Sequence, residues 1–327
     1  MMRVKKPLLV SALSLFFLFA NSTAGVSNPG NGTGTPPEQA VGYWDEATMR
    51  SAKPIELLMD PKTGIATLSV EPMAADTIGA DWIAGGLPQT AVGKVFFTVG
   101  RSNYVCSGSI VNDGIAEVSI VVTAAHCVIE AGRFATNWAF VPNYDGGNRT
   151  SWYASRLFVR NEFASQKQFN RTAVEHDWAF AVIPSGTFTK NRKRFANPVS
   201  QLDSVGAFNY SSTGFNAVGN VSTALGYPAA SPYNGLLLKY AQGSIANDPA
   251  GYATWGMPSN LTGGASGGPW LSSLSSDSAS GVVSSVNSYK YTNDPNRMYG
   301  PKFNTKTDST FNSAITNFSG TTDVIVR

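Results

Sequence analysis

The sequence predicts an all-β chain, and three observations carry that expectation. From about Pro88 onward, short runs rich in β-branched and aromatic residues recur between Gly, Asn, Asp and Pro turn signals. Stretches with a sustained 3.6-residue apolar period are nearly absent. Apolar residues make up 43% of the 327 residues and charged residues 14%, a balance that suits a packed core rather than disorder. Short strands at this spacing fit a sandwich or a barrel.

Taken in order, the chain opens on a basic start, Arg3, Lys5 and Lys6, followed by the almost wholly apolar residues 8–20. Ser22 and Ala24 then place small residues where signal cleavage prefers them, so residues 1–24 read as an export signal cut after Ala24. The apolar run falls short of the roughly 20 residues that span a bilayer; an uncleaved anchor is the competing reading. Residues 25–37 are rich in Gly, Pro, Asn and Thr, the composition of a flexible linker. Residues 25–87 as a whole read either as a pro-segment or as an ordered N-terminal extension, and the sequence does not choose. Strands are expected at 94–99, 104–111, 118–123, 138–141, 152–159, 178–183, 218–225, 236–244, 281–286 and 298–303, with one short helix over 309–317.

The formal charge is +3, and the basic run KNRKR at 190–194 is short, a solvated loop rather than a nucleic-acid patch. Glycosylation sequons begin at Asn31, Asn148, Asn170, Asn209, Asn220, Asn260 and Asn317, besides Asn21 inside the signal. Their number makes a eukaryotic secretory route plausible. Cys106 and Cys127 are the two cysteines, able to pair in an oxidising compartment, with two free thiols as the alternative. Two histidines and two cysteines offer no metal-ligand cluster, and no cofactor is expected.

Three segments carry reactive residues. Ser266 lies in GGASGGP at 263–269, where glycines let the backbone turn tightly and approach another molecule closely; an ordinary glycine-rich turn is the competing reading. His126 follows a strand-like run in SIVVTAAHCV, and Asp177 opens an apolar strand in EHDWAFAVI. A buried carboxylate there needs a partner. His176 is the alternative imidazole, but consecutive strand residues face opposite ways, so His176 and Asp177 do not enter one site. Together these residue types are those of acyl transfer: a hydroxyl nucleophile, an imidazole to take its proton, a carboxylate to orient the imidazole, and N–H groups of Gly264 and Ser266 for the oxyanion. GASGG also fits the nucleophile elbow of α/β-hydrolases, whose histidine follows the serine, and no histidine follows Ser266. The order Asp, His, Ser is open by counting, through Asp81 or Asp113, but it demands a helix-rich α/β sheet.

TAAHC at 123–127, CSGSIV at 106–111, DWAF at 177–180 and GASGGP at 264–269 resemble the trypsin/chymotrypsin superfamily of serine proteases. FVPNYDG at 140–146 and GYP at 226–228 bring the resemblance closest to its secreted glutamyl-endopeptidase-like branch. It covers roughly residues 90–305 and implies two antiparallel β-barrels with the active site in the cleft between them. The first barrel, 88–200, would hold His126 and Asp177; the second, 201–327, would hold Ser266 and the terminal helix. The resemblance further implies His126 as base, Asp177 as its orienting carboxylate, Ser266 as nucleophile, Gly264 and Ser266 as the oxyanion hole, and a Cys106–Cys127 disulfide. The implied function is a secreted serine endopeptidase acting through an acyl-enzyme on protein or peptide substrates. It would be monomeric, without a nucleic-acid or, once the signal is cut, a membrane partner. A catalytically idle secreted binding protein with the same fold is the alternative.

The chain departs from the family in two places. Ala265 stands where animal trypsin-like enzymes carry the aspartate that receives a newly freed N-terminus, so any latency must come from residues 25–87 covering or misordering the cleft. Asn260, Thr262, Ser284 and Ser285 are the expected pocket residues. The strand at 281–286 lacks the histidine that glutamate-specific relatives use, and the neutral Asn260 argues against Lys or Arg. Weak or non-acidic selectivity is the expectation. A pocket-floor Asn260 would also be closed to a glycan.

Overall fold

The segments VGKVFFTV, SNYVCSGSIV and VSIVVT form three consecutive antiparallel strands, Val92–Val99, Ser102–Val111 and Val118–Thr123. The pair Val99–Ser102 leaves a two-residue turn in which Gly100 takes φ +62°, a conformation that costs glycine nothing. Nearly every residue of these strands is buried, on both faces. The structure is a computed structural model that describes residues 42–69, 79–147, 149–274, 280–316 and 323–327. The predicted signal, the 25–37 linker and the sequons at Asn21, Asn31, Asn148 and Asn317 lie outside the described residues.

The first barrel is one sheet. Its order runs Trp152–Tyr153, Thr136–Pro142, Val92–Val99, Ser102–Val111, Val118–Thr123, Ala179–Pro184, Arg156–Arg160 and Val324–Val326. The short stretch from Trp152 to Arg160 thus supplies strands near both ends of the sheet, which is how a sheet closes on itself. The second barrel is built from two six-stranded sheets. Lys239–Ser244 runs on into Ala246–Asn247, and Val282–Val286 into Tyr289–Tyr291, so the chain bends from one sheet to the other at two corners. All described residues belong to one compact unit, and among them no helix is long and apolar enough to cross a membrane.

Some expected elements shift. The 152–159 run is broken at Ala154–Ser155, and KNRKR is the turn of a hairpin, Thr187–Lys190 with Lys193–Ala196. Asn191 and Arg192 take positive φ at that turn, where Arg192 and Lys193 are exposed and Lys190 and Arg194 half-buried. Thr254–Pro258, Pro269–Ser272 and Tyr289–Tyr291 are strands that sequence patterning does not show. They are rich in Gly, Pro and Ser or very short, and their conformation is set by pairing with strands on both sides. The terminal helix is Thr305–Ile315, starting before the expected 309 because Asn304 and Thr307 form a reciprocal capping box. Phe311 and Ala314 carry its buried face.

Residues 42–69 and 79–87 are ordered and packed on the barrels. Trp44 is buried with its indole N–H on the Asn137 carbonyl, and Asp45 caps the helix Glu46–Ser51. Lys53–Pro54 then pairs with Ser102–Val111 of the first barrel, and Glu56–Asp60 pairs with Tyr289–Tyr291 of the second. Ile65–Ser69 folds back on Glu56–Asp60, and Ala80–Asp81 adds to Lys239–Ser244. The extension therefore joins both barrels.

Cys106 and Cys127 form a disulfide across 21 residues. In the chain-entropy account a loop of this length stabilises the fold by about 3 kcal/mol. Replacing both cysteines with serine should lower the unfolding free energy by that order in a denaturant titration.

Candidate active site

Strand register brings His126 and Asp177 together. Val118–Thr123 pairs antiparallel with Ala179–Pro184, and Thr123 sits opposite Ala179. His126 lies three residues beyond Thr123, in the tight turn Ala125–Cys127, and Asp177 lies two residues before Ala179. The disulfide ties that turn back to Ser102–Val111. His126 Nδ1 is 2.7 Å from Asp177 Oδ2, and the His126 backbone N–H donates to Asp177 Oδ1 at 2.9 Å. Both side chains are wholly buried. The Asp177 carboxylate therefore fixes Nδ1 as the protonated nitrogen and leaves Nε2 as a free base.

A third donor to Asp177 comes from the other barrel: Ser288 Oγ donates to Oδ2 at 2.6 Å. Ser288 was not among the sequence candidates, because a lone serine after a short apolar strand has no pattern to mark it. His176, the other imidazole, turns away. Its Nδ1 hydrogen-bonds the Thr172 carbonyl, its ring packs on Trp178, and burial lowers its pKa.

Ser266 sits in the turn between Thr254–Pro258 and Pro269–Ser272. The turn is held from both barrels. Ser107 N–H donates to the Ser266 carbonyl at 2.7 Å and Ser107 Oγ to the Gly264 carbonyl at 2.9 Å, while the Asn287 side-chain amide donates to the Ala265 carbonyl. Gly264 and Gly267 have φ +98° and +79°. A Cβ on Gly267 would meet Thr123 Oγ1 at 2.1 Å, so the close packing of this loop on the first barrel admits only glycine. Ala265 is fully buried in an apolar cluster with Leu261, Trp270 and Met298, where a carboxylate has no countercharge.

No protein-family model and no curated protein matches the chain. Among solved structures it is similar to protease Anisep from Arthrobacter nicotinovorans, at 40% identity and TM-score 0.58, over 70% of this chain and 97% of that one. The thermostable serine protease AL20 from an extremophilic microorganism matches at 37% identity and TM-score 0.57, over 70% and 98%. The chain belongs to the chymotrypsin-like serine proteases. A Glu endopeptidase shares the fold at 16% identity and TM-score 0.52, over 75% of this chain and 100% of that one.

In this protease the cleft between the barrels is crossed by its own extension. Lys53–Pro54 pairs with one barrel and Glu56–Asp60 with the other, so Ile55 spans the gap between them. Gly264 N–H donates to the Ile55 carbonyl oxygen at 3.1 Å, and Ser266 Oγ lies 3.4 Å from the same oxygen, as donor. His126 Nε2 is buried with no hydrogen-bond partner. The serine hydroxyl thus points at the Ile55 carbonyl rather than at the imidazole.

Glu56 is buried next to this contact. Its Cβ lies 3.3 Å from where a Cβ on Gly263 would stand, and its carboxylate is 3.8 Å from Lys290 Nζ, with no hydrogen bond to either oxygen. The expected pocket residues are engaged elsewhere. Asn260, buried as expected, accepts from Tyr233, and Thr262 donates to the Ala230 carbonyl. Ser284 Oγ pairs with Ser272 Oγ, and Ser285 donates to the Pro301 carbonyl. Lys290, on the strand that follows 281–286, donates from Nζ to the Pro295 carbonyl at 2.7 Å. Among the described residues, the one His/Cys/acid group tight enough for a metal is Cys106, His126 and Cys127, and its sulfurs form the disulfide.

Burial pushes the Glu56 carboxyl up to about 7, against the pull of Lys290. A carboxyl near its ordinary 4.5 in an undocked segment binds fewer protons than the docked one between pH 4.5 and 7. This contribution to docking is full below pH 4.5 and is lost as pH rises to about 7. Hydrogen exchange at the Leu57 and Met59 amides, corrected for intrinsic rates, should therefore report easier opening at pH 7 than at pH 5. Glu56→Gln should remove that difference.

Proposed function

We propose that the chain is a secreted serine endopeptidase, made latent by its own N-terminal extension and acting through an acyl-enzyme. The observation that carries this reading is the Ile55 carbonyl: a peptide C=O accepts at once from Gly264 N–H and from the Ser266 hydroxyl. That is the place where acyl transfer needs its substrate carbonyl.

In the proposed reaction a substrate peptide takes the place of the Ile55–Glu56 bond. His126 Nε2 accepts the Ser266 Oγ proton as Oγ attacks the carbonyl carbon. Asp177, hydrogen-bonded to Nδ1, holds the ring and stabilises the imidazolium. The N–H groups of Gly264 and Ser266 take the oxyanion. The C–N bond then breaks as His126 returns the proton to the leaving amine, and water repeats the sequence on the ester to free the acid and the serine.

Latency follows from what the extension occupies. It holds the Gly264 N–H, diverts the Ser266 hydroxyl and fills the cleft from one barrel to the other. Because Ala265 is buried among apolar side chains, a switch that drives a new N-terminus into this site has no acid to meet. Release of residues 53–60 from the cleft is the step that remains. Export is supported by the N-terminal pattern of residues 1–24 and suits the disulfide, which persists outside the reducing cytosol.

A fluorophosphonate probe tests the reading. The processed protein should label at Ser266 at least about tenfold faster than the full chain, and Ser266→Ala should abolish labelling. Asp177→Asn should leave the fold intact and lower peptidase turnover by about 10⁴-fold through the wrong imidazole tautomer. Failure of the processed protein to label overturns the proposal in favour of a catalytically idle binding protein.

A further inference from the structure

We infer that Lys94 is a positioning residue of the oxyanion hole: it pins the loop 228–235, and that loop sets the direction of the Gly264 N–H. The inference rests on the endopeptidase reading above and adds to it how the site is held in a reactive shape.

The Gly264 N–H belongs to the Gly263–Gly264 peptide. That bond is trans, so its N–H and its C=O point opposite ways. The N–H reaches the Ile55 carbonyl, and the Gly263 C=O accepts from the Ala229 and Ala230 N–H groups at 2.7 and 3.0 Å. Glycines on both sides leave this peptide little steric resistance to turning over. Turned over, it would aim a carbonyl oxygen at the oxyanion and leave two N–H groups of the loop without their partner. The loop therefore decides which end of the peptide faces the reaction.

The loop is itself tied down. Tyr227 N–H donates to Ser107 Oγ at 2.8 Å, and Thr262 Oγ1 donates to the Ala230 carbonyl at 2.8 Å. At the far end, Lys94 Nζ donates to the Gly235 carbonyl at 3.0 Å. Gly235 N–H donates in turn to the Pro228 carbonyl at 2.9 Å and closes the loop one residue before Ala229. Gly235 has φ +70°, and a Cβ on it would meet Lys94 Nζ at 2.6 Å, so the ammonium sits directly against the loop backbone. A chain of hydrogen bonds thus runs from Lys94 through the neck of the loop to Gly263.

Lys94 stands on the first barrel and the loop on the second. Within Val92–Val99 it pairs with Ser107, the residue that bonds the Ser266 and Gly264 carbonyls. Its side chain is buried, with Nζ 4.8 Å from the centre of the Tyr144 ring and 5.4 Å from that of Phe96. Among the described residues no carboxylate acts on it, and burial lowers its pKa to about 8. An unpaired ammonium is a costly occupant of a barrel strand, where an apolar side chain would pack at no such cost. What it supplies is a donor that crosses from one barrel to the other. Ala265 leaves the serine loop without an acid for an ion pair to hold, so the oxyanion peptide is ordered by hydrogen bonds from behind.

The test compares the secreted, processed protein with Lys94→Met, which keeps the length of the side chain and removes the donor. Ser266 labelling of the parent by the fluorophosphonate probe is scored first. In peptide hydrolysis Lys94→Met should lower kcat by at least about tenfold and leave KM within about twofold, because an oxyanion donor acts in the transition state. Affinity for a peptide aldehyde, whose adduct with the serine places an oxyanion in the hole, should fall by a similar factor. Should Lys94→Met fail to fold, Lys94→Gln, whose amide falls short of Gly235, is scored in its place. Unchanged kcat and aldehyde affinity in the folded variant, or a change in KM alone, overturns the inference and leaves Lys94 as a structural cation on Gly235. Absence of Ser266 labelling in the parent overturns the endopeptidase reading beneath it.

Discussion

Asp177 is a carboxylate with no accessible surface, and a buried anion of this kind is stable only if its lone pairs are used. Here they are used from both barrels: the His126 backbone and ring from the first, the Ser288 hydroxyl from the second. Satisfying one charge thereby fixes the imidazole tautomer, anchors the tight turn at Ala125–Cys127, and docks the strand Tyr289–Tyr291 at a set height against the first barrel. Other features of the site depend on that placement. The Ser266 turn reaches across to Ser107, and the edge of Tyr289–Tyr291 is the surface on which the extension pairs.

The extension uses the cleft as a peptide ligand uses a sheet edge. Backbone pairing on both barrels and the burial of Ile55, Leu57 and Met59 supply its hold, and one charged side chain of the strand, Glu56, is buried with them. A buried pair with no hydrogen bond to the carboxylate is a poor source of stability. Its weight lies in placement, because removing either partner leaves the other charge unsatisfied.

The barrel strands 92–99, 102–111, 118–123 and 179–184 were legible in the sequence because their β-branched and aromatic runs are buried on both faces. The strands at 254–258, 269–272 and 289–291 were not, since the first two carry Gly, Pro or Ser and the third is only three residues long. At the candidate site, His126, Asp177, Ser266 and Gly264 were marked by chain order and by the family resemblance of the motifs they stand in, and the His126–Asp177 contact was left to the structure to show. Ser284 and Ser285, expected in the pocket, bond Ser272 and the Pro301 carbonyl, contacts that no local pattern encodes. Ser288, Lys290 and Glu56 went unnoticed for one reason. Each acts through a partner more than 100 residues away, and no local pattern encodes such a partnership.

By itself, then, the sequence determined the fold class and marked the glycine-rich turn around Ser266, because strand propensity and glycine-rich turns are local properties. Whether residues 42–69 and 79–87 stood apart or packed into the barrels was decided only by tertiary structure, through edge pairing with strands far along the chain. The same holds for the placement of Lys290. It reads as a surface lysine until hydrogen bonds to Asp248 turn Tyr289 and Tyr291 one way and the alternation of the strand turns Lys290 the other.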